Sequence, residues 1–414
     1  MTGSAAPLDA RVSFHPLEFR QDRAEWVVGR QGNDQVIALP HVGLTALRLL
    51  ESGHTVGETQ ERLRVETGRH FDIAAFVAGL TTVGFVAAIG DRSFQASHGR
   101  VPLPWLDGRR LRWTLRPAVH AAVLAVPVVG LAVLLLSERP LPSWSGLLWS
   151  EYGSVNLVVQ SIIAWCLIGL HELAHLITAR AAGVQARVRL GTRLQFLVAQ
   201  TEASGIWLKG RRERLTVYLA GLAMNGAICG WCLLAMGFGA RTPLLTVVVM
   251  TLVLSFANQC MIFMRTDLYF VVQDLFGCRN LYSDAGRYLR YLVKRAAGWW
   301  RGVHPLDALH PVERTVVRAY ALVASLGTAV CVFVGLRVFL DVTMPLLNRS
   351  MNRLMNSGNP VLWLDSAVTT LVLVALQTLW ARVWWRRHGP RVRTAVKATI
   401  RTVRPVTRSG TSRP

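Results

Sequence analysis

Acidic residues are scarce: 24 Asp and Glu stand against 46 Lys and Arg, and charged residues of both signs make up only 17% of the 414-residue chain. That fraction is below the roughly 25% of ordinary soluble domains and argues against a fully solvated surface. No stretch interleaves basic with aromatic residues on a polar face, which argues against nucleic-acid binding as the source of the +22 net charge. Cysteine is sparse as well. Cys166, Cys229, Cys232, Cys260, Cys278 and Cys331 fall mostly within apolar runs, where a thiol behaves as a small hydrophobe, so no disulfide framework is expected. Cys229 and Cys232 have CxxC spacing but no second pair, and read as packing residues. Finally, Met1 to Arg20 lacks the basic, apolar and small-residue succession of a secretory signal, so the N-terminal region is expected to stay in the cytosol.

What the chain does have is apolar sequence, 52% of its residues, concentrated in long runs after about Pro117. Six runs approach the ~20 residues that a bilayer crossing requires: 117 to 136, 155 to 178, 215 to 237, 243 to 264, 316 to 340 and 361 to 384. Lys and Arg separate cleanly between the connections. Segments 180 to 214, 265 to 314 and 382 to 414 carry eight, eight and ten, against one, one and two in 137 to 154, 238 to 242 and 341 to 360. This asymmetry predicts an even number of spans with both termini on the cytoplasmic side, and it explains the positive charge by topology. Basic residues with Val392, Val396, Ile400 and Val403 on one helical face read either as an interfacial amphipathic tail or as a solvated one.

Before the apolar runs, residues 16 to 92 read as a small α/β module, preceded by a tail over 1 to 15. Strand-like runs Glu25 to Gly29 and Gln35 to Leu39 flank a Gln-Gly-Asn-Asp turn at 31 to 34. A helix follows from His41 to Glu51. Thr55 and Glu58 then form a capping box that opens a second helix, and a third starts at Asp72 with Ile73, Phe76, Val77, Leu80 and Val83 on one face. A basic linker is expected over 93 to 116, a membrane domain over 117 to 386 and a basic tail over 387 to 414. The hairpin, the segment ALPHVGLTALRLLESGHTVGETQERL and the last helix before VGFVAA resemble the PqqD-type winged-helix fold. That resemblance implies recognition of the leader of a ribosomally made peptide, added as a strand at the sheet edge. A DNA-binding winged helix or a regulatory cap is the other reading of this pattern.

Chemistry concentrates in IGLHELAHLITAR, an HExxH sequence that follows sixteen uncharged residues from Val155 to Leu170. On a helix His171 and His175 are four apart and share a face, so both imidazoles can reach one metal ion. Glu172 is placed to act as general base on water, as in metalloproteases. Two His and a Glu within one turn of an apolar span are costly without a compensating ligand. A catalytic zinc needs a third protein ligand, for which the spacing leaves two candidates, Asp267 and Asp274.

HELAH in a span, LAGLAMN in the next and RTDLYFVVQDLFG after the following one together resemble the site-2 protease family of intramembrane zinc metalloproteases, over roughly 155 to 285. The resemblance implies Asp267 as the third ligand and Glu172 as the base, with Asn225 and Asn258 candidates for holding the substrate strand or the oxyanion. Leu268 stands where the family usually has Gly, and AGLAMN where it has AGPxxN. The expected whole is a mainly α-helical polytopic protein of a bacterial plasma membrane, with about six transmembrane helices and a PqqD-like domain. It would use one Zn2+ to cleave a precursor peptide, with the lipid bilayer as its other partner and no nucleic acid. Regulated proteolysis of a membrane-bound regulator, or a non-catalytic peptide-binding or export role, are the alternatives.

Overall fold

The computed structural model describes residues 7–22, 25–30, 35–94, 106–147, 149–193, 196–278, 280–299, 303–307 and 309–403. The chain divides into two compact units, one of Met1–Ser143, Ile163–Arg189 and Ala199–Ala324, the other of Trp144–Ile162, Leu190–Val198 and Ser325–Pro414.

The first unit opens with strands β1 (Val12–Phe14), β2 (Leu17–Asp22), β3 (Glu25–Arg30) and β4 (Val36–Pro40). Helices α1 (His41–Glu51), α2 (Val56–Thr67) and α3 (Ile73–Thr82) follow, and then β5 (Val86–Ile89) and β6 (Arg92–Ser93). The expected hairpin is present as β3 and β4, paired antiparallel from Glu25 opposite Pro40 to Gly29 opposite Val36. Its turn at 31 to 34 lies outside the described residues. The pair is extended by β2, and β3 becomes the centre of a three-stranded sheet. Of the expected tail over 1 to 15, the described residues 7–15 are part of the fold. Within it β1 pairs with β5, and the carbonyls of Leu8 and Ala10 accept the N–H groups of Gly57 and Val56. Only backbone pairing marks this stretch, which has no periodicity to read.

Both predicted caps form. The Thr55 hydroxyl accepts from the Glu58 N–H at 3.2 Å while the Glu58 carboxylate accepts from the Thr55 N–H at 2.8 Å, which satisfies two donors at the start of α2. Asp72 does the same for Ala75 at the start of α3. The core joins Val28 and Leu39 of the sheet to Leu47, Leu50, Leu63, Val77, Leu80 and Phe85. Each such side chain contributes about 1.5–3 kcal/mol by leaving water.

Beyond the module come α4 (Pro117–Leu136), α5 (Gly153–Ala181), a hairpin of β7 (Arg187–Arg193) and β8 (Phe196–Glu202), and α6 (Arg211–Gly237). Next are α7 (Pro243–Gln259), α8 (Asp267–Phe276), α9 (Leu281–Ala296), α10 (Pro311–Val338), α11 (Met344–Asn356) and α12 (Pro360–Val403). Among the described residues, five helices are long and apolar enough to cross a membrane: α4, α5, α6 and the leading parts of α10 and α12. The protein is mostly helical and membrane-embedded, with five candidate spans where six were expected.

The sixth, α7, has 17 residues. At 1.5 Å per residue it reaches only about 26 Å of a ~30 Å hydrocarbon core. It stops at Gln259 because the chain turns there. Arg265 takes a left-handed conformation (φ 59°) and the Thr266 hydroxyl donates to the Gln259 carbonyl at 2.7 Å, so the chain folds back towards the end of α7.

Glycine sets how closely α4 and α6 approach. A Cβ on Gly130 would lie 2.3 Å from the Gly230 carbonyl oxygen, and one on Gly230 would lie 2.5 Å from the Pro127 nitrogen. Between membrane helices such bare backbone contact replaces the missing hydrophobic drive with van der Waals packing. In the second unit, buried Asp365 of α12 accepts from the Gly153 and Ser154 N–H groups and the Ser154 hydroxyl, capping α5 from another helix.

Candidate metal centre

The site is assembled on α5, because i and i+4 positions project from the same side of a helix. His171 and His175 are both buried, at 7% and 6% exposure, and lean against α6 at Gly221. A Cβ there would lie 2.4 Å from His171 Nε2 and 2.5 Å from His175 Nε2. Glycine is therefore required at 221 for both imidazoles to occupy their positions. His175 is oriented by its other nitrogen, since Nδ1 lies 2.7 Å from the Val217 carbonyl. That contact places a proton on Nδ1 and turns Nε2 towards His171 and Asp267. His171 Nδ1 is buried and finds no partner among the described residues.

Asp267 completes the group from the first turn of α8. Its Oδ2 is 2.9 Å from His171 Nε2 and 3.2 Å from His175 Nε2, and the two Nε2 atoms are 3.2 Å apart. Among the described residues this is the one cluster of His, Cys, Asp and Glu able to hold a metal ion. Burial by itself raises the Asp267 carboxyl, but the charge of His175 and hydrogen bonds from both imidazoles hold it well below the usual carboxylate range. An ionised carboxylate and two imidazole nitrogens converging on one point form a ready donor set for a divalent cation.

Gln259 fixes the carboxylate. Its Nε2 donates to Asp267 Oδ2 at 3.0 Å while its Oε1 accepts the Asp267 N–H at 3.1 Å. Asp267 thus has its backbone and side chain clamped by the last residue of α7.

Glu172 follows the first histidine and is buried, yet it is not among the converging donors. Its Oε2 accepts from the Thr201 hydroxyl at 2.7 Å, and the same hydroxyl lies 3.2 Å from the Glu172 carbonyl oxygen. A carboxylate beside the donor set and oriented by a hydroxyl can exchange a proton with a molecule bound there.

The remaining candidates fall elsewhere. Asp274, seven residues after Asp267, forms a bidentate pair with Arg214 of α6, and both side chains are 5% exposed, so it is not available to the metal group. The guanidinium also donates to the Lys209 carbonyl and lies over the Trp207 ring. Asn225 is buried and donates to Ser255 at 3.1 Å, linking α6 to α7. Asn258 is exposed, and its neighbour Gln259 faces the site.

Sequence reasoning missed Gln259, Gly221 and Thr201. The first was legible as half of a polar Asn-Gln pair ending an apolar run and the second as the glycine of LAGLAMN. Nothing local marks Thr201, which is brought to Glu172 by the hairpin. Comparison with protein-family models, curated proteins and solved structures found no match.

Proposed function

We propose that this chain is an intramembrane zinc endopeptidase that cleaves a peptide precursor, removing the leader of a ribosomally synthesised and modified peptide. The observation that carries the reading is the triangle of His171, His175 and Asp267. Its edges of 2.9, 3.2 and 3.2 Å lie near the ~3.3 Å edge of a tetrahedron whose arms have the ~2.0–2.1 Å lengths of zinc–nitrogen and zinc–oxygen bonds. Two nitrogens and one oxygen are a zinc donor set, and three protein ligands leave the fourth position open to water and substrate, as catalytic rather than structural sites do. The close seat of both imidazoles on Gly221 supports the same reading, because that seat directs both Nε2 atoms at one point.

A zinc ion held by His171, His175 and Asp267 would supply a Lewis acid and acidify an attacking water. Glu172 is placed to take that water's proton and deliver it to the departing amine. Thr201 holds the carboxylate in the orientation that this transfer needs. Gln259 and the Val217 carbonyl keep Asp267 and His175 in register before any substrate arrives.

A helical substrate hides its backbone, so the scissile segment has to be extended. The β7–β8 hairpin follows α5 directly and offers strand edges for such a segment. The N-terminal module favours a precursor peptide over other membrane substrates, since its β2 and β4 edges can take up a leader strand. We place both termini on the cytoplasmic side of a bacterial plasma membrane, counting α7 as a short crossing, on the Lys and Arg asymmetry.

Glu172→Ala is the test, with the full chain purified in detergent and, as probe, a quenched-fluorescent peptide that the wild-type chain cleaves, selected from a random peptide library. Cleavage is expected to stop while one equivalent of zinc stays bound. Cleavage that continues at the wild-type rate overturns the reading.

A further inference from the structure

Between β8 and α6 the chain makes a single 3₁₀ turn, Ser204–Leu208, with two sides. On one side Ile206 and Trp207 pack with Leu176, Ala179, Val217 and Tyr218, the apolar cluster beneath His175. On the other side the turn meets the N-terminal sheet. Arg20 of β2 donates to the Trp207 carbonyl at 2.7 Å, and Glu18 of β2 lies 3.9 Å from Lys209. A Cβ on Gly29 of β3 would lie 2.6 Å from Leu208 Cδ1, so glycine lets the sheet close directly onto this side chain. Consequently β3 is covered on both faces, with Val28 in the module's own core and Val27 and Gly29 buried as well. Three residues before the turn, Thr201 donates to Glu172.

We propose that the N-terminal module is a positioning element of the proposed active site: its sheet grips the 204–208 turn, and the turn sets Thr201 and thereby the Glu172 carboxylate. This rests on the protease reading and deepens it. A module that merely raised the local concentration of a precursor would act through a flexible linker and would need no contact with the strand that carries Thr201. The contacts here are direct, with a directional hydrogen bond from a side chain to a backbone carbonyl and close apolar packing of a bare glycine against a leucine. A peptide strand adding to the β2 edge would join the strand that carries Arg20 and Glu18, so leader occupancy and the orientation of the base would be coupled through residues 201–208. Arg20 and Thr201 are positioning residues, since neither reaches the reacting atoms.

The experiment compares Arg20→Ala, Arg20→Lys, Thr201→Val, Thr201→Ser and the double variant Arg20→Ala/Thr201→Val in the full chain. Cleavage of the same quenched-fluorescent peptide, zinc content and amide hydrogen exchange over 196–208 are measured. Arg20→Ala and Thr201→Val are each expected to lower kcat about 10-fold with KM and zinc content unchanged, and the double variant to lose little more than either. Arg20→Lys and Thr201→Ser, which keep the donors, should recover most of the rate. Exchange over 201–208 should quicken about 10-fold in Arg20→Ala. Unchanged kcat, multiplicative losses in the double variant, or unchanged exchange would each overturn the coupling. Exchange is read whether or not the peptide is cleaved, so the coupling can fail while Glu172→Ala still upholds the protease. Conversely the coupling can hold, in exchange, for a chain that cleaves nothing.

Discussion

The two ends of α8 carry carboxylates seven residues apart, in similar sequence surroundings, the Asp267 side chain 19% exposed and that of Asp274 5%, and their partners differ in kind. Asp267 at the first turn meets two imidazoles and a glutamine amide, all of which leave its oxygens directed at a common point with His171 and His175. Asp274 in the last turn meets the Arg214 guanidinium, which consumes both oxygens. A carboxylate that converges with two imidazole nitrogens is a candidate ligand, and one neutralised by a bidentate cation is a structural pin. The difference lies wholly in what α5 and α6 present to each end.

The comparison breaks first at Asp267. Asp267→Ala is expected to reduce peptide cleavage to background, a loss on the order of 10³-fold or more, with bound zinc falling from one equivalent towards none by metal analysis. If Asp274→Ala did the same to zinc while Asp267→Ala did not, the assignment of the two ends would be reversed. At the other end, Asp274→Asn leaves Arg214 buried without its counter-charge. The stability lost is expected to be about 3–5 kcal/mol, seen in the unfolding transition, with the zinc content of the surviving folded protein unchanged.

Gln259→Ala sharpens the contrast, since it frees Asp267 without removing it. Zinc affinity is expected to fall about 10–100-fold by competition with a chelator, with no change at the Arg214 pair. Smallest and most remote is Thr55→Ala in the module, expected to cost about 1 kcal/mol of stability through the lost cap of α2. It should leave zinc content untouched, and a change there would show that the module's helices, and not only its sheet, reach the metal group.

Much of this was legible in the residues, for reasons that differ by region. The module's three helices announce themselves because capping boxes and an i, i+3, i+4, i+7 stripe are local codes, and α1 to α3 begin where Pro40, Thr55 and Asp72 place them. The spans are legible because a bilayer demands length and apolarity, so α4 falls on 117–136 as expected. The same signal overran at 243–264, where hydropathy runs on past Gln259 but the helix does not. There a left-handed Arg265 and a side chain bonded to a carbonyl end it, and neither leaves a mark in mean hydropathy.

The sequence alone determined that two imidazoles and a carboxylate share a turn of helix, because four residues is one turn and nothing beyond the backbone is needed. Tertiary structure decided the rest of the centre. It seated Asp267 beside both imidazoles and Asp274 on Arg214, required glycine at 221 by the closeness of α6, and brought Gln259 and Thr201 to the carboxylates they hold. Except for Gln259, eight residues before Asp267, those contacts join residues tens of positions apart, for which spacing along the chain carries no signal.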